Sequence, residues 1–508
     1  MSEAIAGLPP PPPEAPARDA AAVVLVRQTA RGPEVFWVQR GKALKFFAGF
    51  RAFPGGRLDE ADAQVQIEGF GGPAAAMLAC AARELFEEAG VLLVEGAALS
   101  VDAKRSWRER LLAEEVTLAE LLRETGGKLA ADRLVPAGRW ITPGFLPLRY
   151  DARMFLVDLR PDEEAEVWPG ELASGEWIRP EDALARWAAG ETLLHPPNLN
   201  ALGSVGAARD RGELLRKLRE PPFVVDFITD RVEFQQGIRV FPLRTPTLPP
   251  ATHTNCYLVG NRELLVVDPG AHDQAEQQRL VQHLRALKSE GLKPLATLLT
   301  HHHGDHTGAV GVLKRELGLP VWAHALTAER VGGADRLLAD GEKLVLQGAP
   351  PMELTVLHTP GHASGHVCLH HAKSRAVLCG DMVANGSTII VDPPEGNMRQ
   401  YLASLERLKA LPAGTLYPAH GAAMAEGQAK LDEYLAHRKL RIDALEAALE
   451  DGPLTSAELV ARVYTDVPEA IWPIAERSAL ASLGYLVEAG RVVEQGARFA
   501  RPAARSVE

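Results

Sequence analysis

Seven side chains of metal-ligand type follow one another in the second half of the chain. The run LLTHHHGDHTGAV carries apolar residues straight into His301, His303, Asp305 and His306, and His362 (HTPGHASGH), Asp381 (LCGDMV) and His420 (YPAHG) come later. Neutral imidazole nitrogens are good ligands for zinc, and a carboxylate beside them adds an oxygen donor and balances charge. On a strand-to-loop turn alternate residues point the same way, so His301 and His303 can close on one ion while Asp305 and His306 turn to a second. Two divalent cations, here expected to be zinc, lower the pKa of a bound water toward neutrality and polarise the bond under attack. Hydrolysis of an ester-like, thioester or phosphodiester bond is the expected reaction, with Asp305 or Asp381 steering the nucleophile or shuttling its proton. Nothing in the ligands selects one such bond over another. His366 is placed near the substrate, whereas His253, His302, His358, His370 and His371 read as surface or supporting residues.

A second cluster lies in the first half, where AARELFEEAGVLL sets Glu84, Glu87 and Glu88 three and four residues apart. That spacing puts the carboxylates on one helix face, where they repel each other unless a hard divalent ion carrying a diphosphate sits among them. Upstream, FPGGRLDEAD offers Gly55 and Gly56, which let the backbone approach a phosphate.

The elements that must position these groups follow from hydrophobic period. A β-branched run beginning at Ala21 (AVVLVRQ) predicts a strand, with residues 34–39 (EVFWVQ) as its hairpin partner. Helical periodicity covers residues 77–93 and 111–124, and strand character returns at 153–159. A charged, glycine-containing stretch closed by two prolines predicts a linker over 203–222. Beyond it, short apolar strands alternate with helices, an α/β pattern in which loops at one end of a sheet converge on a cleft. Leu431, Leu435, Ile442, Leu445 and Leu449 predict a long amphipathic helix. A compact tail follows, with helices near 456–463 and 470–489 and a strand at 491–493, which suggests a small winged-helix unit.

A chain of 508 residues is too long for one core. The expected organisation is a disordered proline-rich tail (1–20), a first domain (21–202), the linker (203–222), a second domain (223–425), and a long helix with winged helix (426–508). A formal charge of −11 gives no global attraction to phosphate backbones or anionic membranes. The first residues lack a basic and apolar secretory leader, and no stretch is apolar enough to span a membrane, so a cytoplasmic protein is expected. Cys80, Cys256, Cys368 and Cys379 show no C-x-x-C pairing and read as reduced.

The order H-x-H-x-D-H, then His362, Asp381 and His420, resembles the metallo-β-lactamase superfamily over residues 237–421. That resemblance implies an αβ/βα sandwich in which His301, His303 and His362 hold one metal, Asp305, His306 and His420 hold the other, and Asp381 bridges them. Asp268 in VVDPG would support the metal loop. With the long helix and winged-helix tail, the second half is similar to the β-lactamase-like protein 2 group, whose members are hydrolases, some of them single-strand endoribonucleases. Gly56, Asp62 and the run Arg83 to Val91 resemble the Nudix box, with aspartate in place of glutamate at Asp62 and an insertion between Gly56 and Arg83. AFPGG and RWITPGFLPLRYDARMFL make the first half similar to the Nudix-19-like subgroup, which implies an α/β/α sandwich. By that resemblance Glu84, Glu87 and Glu88 hold magnesium or manganese, Arg83 orients one of them, and the substrate is a nucleoside diphosphate linked to another group. Relatives of the subgroup act on coenzyme A and its thioesters. Arg40, Gly55 and Gly56 match part of a coenzyme A signature, and Lys45 stands near its missing second arginine.

The leading expectation is thus a fused metal-dependent hydrolase acting on small phosphoanhydrides and thioesters. In the alternative, the second half cleaves single-stranded RNA and the first binds a nucleotide as a regulator. The mixed charge of residues 426–508 argues instead for a winged helix that caps the enzyme or mediates a homodimer.

Overall fold

The computed structural model describes residues 15–41, 47–97, 99–146, 148–168, 171–229, 231–249 and 251–502. The prolines at 9–13 and Lys45 lie outside these. The chain divides into two compact units, Pro13–Arg239 and Val240–Glu508.

Alternation along two strands decides the architecture of the first unit. In Arg18–Thr29, Ala21, Val23 and Leu25 face one core and Val24 and Val26 another; in Gly32–Arg40, Phe36 and Val38 join the first core and Val35 and Trp37 the second. Strands buried on both faces need helices on both. Gly72–Ala89 covers one face through Met77, Leu78, Leu85 and Phe86. Pro180–Ala189 and Pro196–Ala207 cover the other. The predicted hairpin forms, and Arg18–Thr29 also pairs in parallel with Tyr150–Asp158, from Arg18 opposite Tyr150 to Val26 opposite Asp158. Gly55–Arg57 adds to the start of the same strand, which sets the two glycines beside the carboxylate helix.

Three expectations are corrected here. Order begins before Ala21, because Arg18, Asp19 and Ala20 already pair in the sheet. The predicted linker is helical, as Pro196–Ala207 and Arg211–Arg219, and Leu202, Val205 and Leu218 lie in the second core. Its charges solvate an outer face while leucines at helical spacing pack inward, so the first unit runs on to Arg239. The helix expected at 111–124 is two, Val101–Leu112 and Leu118–Thr125, because Thr117 and Glu120 form a capping box that starts the second.

His195 caps Pro196–Ala207 and packs on Phe47, Phe50 and Phe234, with ring centroids 4.3, 4.8 and 5.5 Å away. Burial, and secondarily the charge of Arg40, pushes its pKa down to about 3. The unfolded chain therefore binds a proton at pH values where the folded one does not. Stability from this group is complete above about pH 6.5 and is lost as pH falls toward 3, by on the order of 2 kcal/mol at pH 5. A His195→Phe variant is expected to flatten that slope, read from urea unfolding between pH 4.5 and 7.5.

In the second unit, Ile238–Arg244, His253–Val259, Glu263–Val267, Lys293–Leu298, Val321–His324 and Arg336–Leu338 follow in order across one sheet. Its last four strands are parallel neighbours. Lys343–Leu346, Met352–His358, Val367–His371, Ala376–Gly380 and Thr415–Pro418 form the other sheet. The long helix is Gly427–Ala447, and Ser456–Val463, Trp472–Glu488 and the hairpin of Val493–Gln495 with Arg498–Ala500 make the winged helix. The wing is a hairpin starting two residues later than the predicted strand. One continuous core runs from Val377 and Cys379 of the second sheet through Leu431 and Ile442 of the long helix to Leu459, Leu483 and Phe499 of the tail. No helix among the described residues is long and apolar enough to cross a membrane.

Candidate metal centre

Each ligand candidate of the second unit sits just past the end of a strand. Glu263–Val267 leads to Asp268, Lys293–Leu298 to His301, Met352–His358 to His362, Ala376–Gly380 to Asp381 and Thr415–Pro418 to His420. His303, Asp305 and His306 lie on the turn into a short helix, Gly304–Thr307. Because those strand ends share one edge of the two sheets, seven residues far apart in sequence converge. Three overlapping groups result: His301 with His303 and His362; His301 with His306 and Asp381; and Asp305 with His306 and His420. Asp381 also reaches His362 at 3.5 Å and His420 at 3.5 Å, so it touches members of every group.

Hydrogen bonds fix which ring nitrogen faces inward. His362 Nδ1–H donates to the Ile390 carbonyl (2.7 Å) and His420 Nδ1–H to the His253 carbonyl (3.0 Å). His306 Nδ1–H donates to Asp268 Oδ2 (3.0 Å). His301 Nδ1–H donates to the Thr300 hydroxyl (3.0 Å), which itself donates to Asp268 (2.7 Å). A carbonyl or carboxylate only accepts, so in these rings Nε2 keeps its lone pair for the centre. His301 Nε2, His362 Nε2 and His303 Nδ1 then lie 2.9 to 3.3 Å from one another. Three nitrogens bound tetrahedrally to one zinc stand roughly 3.3 Å apart, so the spacing fits such an ion.

The electrostatics are those of a cation site. Burial holds His301 well below the ordinary imidazole range and His303 down to about 3, with the neighbouring imidazoles adding to the shift. Burial also works against charge on His306, but Asp305, Asp381 and Asp268 overcome it and raise its pKa. Two buried polar atoms, His306 Nε2 and Asp381 Oδ1, have no hydrogen-bond partner among the described residues. Orphaned atoms of this kind are rare in folded proteins, and a metal between an imidazole and a carboxylate satisfies both.

His366 is corrected. It is fully buried, Nδ1–H donates to Thr359 Oγ1 (2.9 Å) and Nε2 accepts from the Asp381 amide (3.1 Å), so it buttresses the Asp381 loop and does not face a substrate. Gly380, at φ +44°, must be glycine, since a Cβ would stand 2.5 Å from His366 Nε2.

In the first unit the carboxylates do not form a comparable cluster. Glu84 and Glu87 both accept from Nη1 of Arg83 (2.8 and 2.9 Å), and the same guanidinium pairs with the buried Asp62 (2.8 Å). Glu88 accepts instead from the Gly55 amide (2.7 Å). Burial raises all three: Glu84 upward, Glu87 to about 7 and Glu88 well above the ordinary range. Like charge adds to this, including that of Glu171, far away in sequence, on Glu84 and Glu88. The charged state of this face is thus costly without a cation. Arg40 opposes the shift of Glu88, and its Nε is buried without a partner among the described residues.

Comparison with known proteins bears on both units. The model of the metallo-beta-lactamase superfamily matches residues 249–420. The lactamase-like protein aptB of Emericella nidulans is 30% identical over 262 residues, covering 49% of this chain and 78% of that protein. The chain belongs to the metallo-β-lactamase superfamily. A beta-lactamase associated winged helix domain matches 455–501, and a NUDT19 Nudix domain matches 72–205. The protein is therefore a hydrolase with a Nudix domain, a metallo-β-lactamase domain and a winged helix. The expected likeness to β-lactamase-like protein 2 holds: the homolog in Caenorhabditis elegans is 28% identical over 227 residues, 43% of this chain and 73% of that one. An atrochrysone carboxyl ACP thioesterase of Aspergillus chevalieri is 32% identical over 232 residues, 43% of this chain and 70% of that protein.

Sequence reasoning missed Thr300, the Ile390 carbonyl and Glu171. Thr300 directly precedes the histidine run and its polar side chain after Leu298 and Leu299 was a usable signal; the other two are joined to their sites only by the fold. In the Nudix domain, a Cβ at Gly56 would stand 2.4 Å from the Glu84 carboxylate. A Gly56→Ala variant is expected to displace Glu84 and lower hydrolysis by the Nudix domain by about 10²-fold, with the fold retained by circular dichroism.

Proposed function

We propose that the metallo-β-lactamase domain is a dinuclear zinc hydrolase of thioesters and related esters. In this reading His301, His303 and His362 would hold one ion, Asp305, His306 and His420 the other, and Asp381 would be shared between them. The observation that carries it is the convergence of seven side chains, four of them imidazoles (His301, His306, His362 and His420) whose inward lone pairs are fixed by hydrogen bonds on their far sides. A cation pair bound there would lower the pKa of a bound water and polarise the carbonyl under attack. Asp268 and Thr300 hold His301 and His306 in the ligating tautomer, and Asp305, half-buried beside His306 and His420, or Asp381 steers the nucleophile or shuttles its proton. Likeness to an ACP thioesterase over most of that protein supports the thioester over the phosphodiester.

The Nudix domain is, in the same reading, a magnesium- or manganese-dependent diphosphatase. Glu84, Glu87 and Glu88 take the ion, Gly55, Gly56 and Arg40 meet the diphosphate, and Arg83 restrains the carboxylates. A substrate carrying both bonds, of the acyl-coenzyme A type, suits a chain with both domains.

The test is a hydrolysis screen of the intact protein against coenzyme A derivatives, nucleoside diphosphate conjugates, acyl thioesters and short single-stranded RNA, with zinc and magnesium supplied separately. Zinc-dependent thioester cleavage together with magnesium-dependent diphosphate cleavage is expected. Salt-sensitive RNA cleavage with no thioester turnover would overturn the substrate assignment.

A further inference from the structure

One loop touches three of the seven ligands. It starts at Asp381, its Ile390 carbonyl fixes His362, and its Asn385 amide donates to the His420 carbonyl (3.2 Å). Residues 382–391 form no helix or strand of their own, yet half of them are buried. Its polar backbone must therefore find partners elsewhere.

Those partners come from the helices on its outer side, two of which are the long helix and the winged helix. Tyr401 Oη donates to the Met382 carbonyl (2.6 Å). Tyr434 Oη, from the long helix, accepts from the Ala384 amide (2.7 Å) and donates to the Ser387 carbonyl (2.7 Å). Arg438, one turn further on and buried, donates from Nη2 to the Ile389 carbonyl, next to the residue that orients His362. Its guanidinium lies over the Tyr401 ring at 5.1 Å. From the winged helix, Ser478 Oγ accepts from the Val391 amide (3.4 Å), and Arg477 pairs with Asp392 (3.0 Å).

We propose that the long helix, with the winged helix packed behind it, is part of the metal centre, with Tyr434 and Arg438 of the long helix as positioning residues that hold the 382–391 loop and through it His362 and Asp381. A groove-reading role for the tail is not needed to explain its presence: it supplies the hydrogen bonds that a ligand-bearing loop cannot make for itself. This rests on the metal reading of the site. Partners one shell out from a metal typically alter affinity by about 10–100-fold, because a ligand free to rotate is a weaker ligand.

The test uses the intact protein loaded with cobalt(II), with Tyr434→Phe, Arg438→Met and Arg441→Met compared. Arg441 lies on the same helix but bonds to the Val463 carbonyl (2.9 Å) and Asp466 (2.7 Å), within the tail. Tyr434→Phe and Arg438→Met are expected to lose cobalt to a chelator on the order of tenfold faster and to shift the visible cobalt spectrum. Arg441→Met is expected to lower the unfolding temperature while leaving the spectrum unchanged. If Arg438→Met does not fold, Tyr434→Phe, which removes one oxygen, decides. Folded variants with the spectrum and chelator rate of the parent, or an equal disturbance from Arg441→Met, overturn the proposal. A parent protein that takes up no cobalt would refute the metal reading itself, which separates the two failures.

Discussion

An Asp381→Asn variant is expected to lose on the order of 10³-fold in zinc-dependent hydrolysis, or about 4 kcal/mol of transition-state stabilisation. Asp381 lies within 3.7 Å of His306, His362 and His420. Those imidazoles hold its carboxyl, despite its burial, well below the ordinary carboxylate range, so an anion is built into the site. Asparagine keeps the shape and removes the charge. Metal content should fall in parallel, while diphosphate cleavage by the Nudix domain stays at the parent level. The measurements are kcat/KM on an acyl thioester, elemental analysis and the Nudix assay on one preparation. A variant with parental metal content and turnover would show that Asp381 bridges nothing.

The second large effect belongs to the other unit. Arg83→Met is expected to destabilise the Nudix domain by about 3–5 kcal/mol, the usual consequence of removing one partner from a buried ionic network. The guanidinium pairs with Asp62, Glu84 and Glu87 and donates to the Arg57 carbonyl (2.9 Å). Asp62 is 1% exposed, so its charge would be stranded, and Glu87, already raised to about 7 by burial, would lose its nearest cation. Hydrogen exchange of peptides from Arg18–Thr29 and Gly32–Arg40 reads the loss within this unit alone. Magnesium should restore part of the stability, since a divalent ion replaces the missing charge; exchange rates equal to the parent without magnesium would contradict the network reading.

That the seven side chains meet was legible in the sequence because they are all of metal-ligand type, and because apolar strands ending in those residues imply a shared sheet edge. Asp268 was legible only through the resemblance of VVDPG to the family's motif. His366 was misjudged since a histidine that follows Gly365 in the same motif as His362 looks like a site residue; only packing shows it facing backward, onto the Asp381 amide. The loop-holding set, Tyr434, Arg438 and Ser478, left no local trace, because hydrogen bonds from a side chain to a distant backbone have no sequence period. The junction was misplaced because charged residues and glycines mark a linker only when no leucines recur beneath them, and Leu214, Leu215 and Leu218 do. Local caps, by contrast, were present but unread: Thr117 with Glu120 breaks a helix that hydrophobic period alone joins.

Elemental analysis of the purified intact protein, repeated after replacing His301 with alanine, tests the central claim most directly. Two transition-metal ions per chain in the parent, clearly fewer in the variant, and hydrolysis that disappears on chelation and returns with zinc is the predicted result. A metal-free protein that hydrolyses its substrate at the same rate before and after chelation would contradict it.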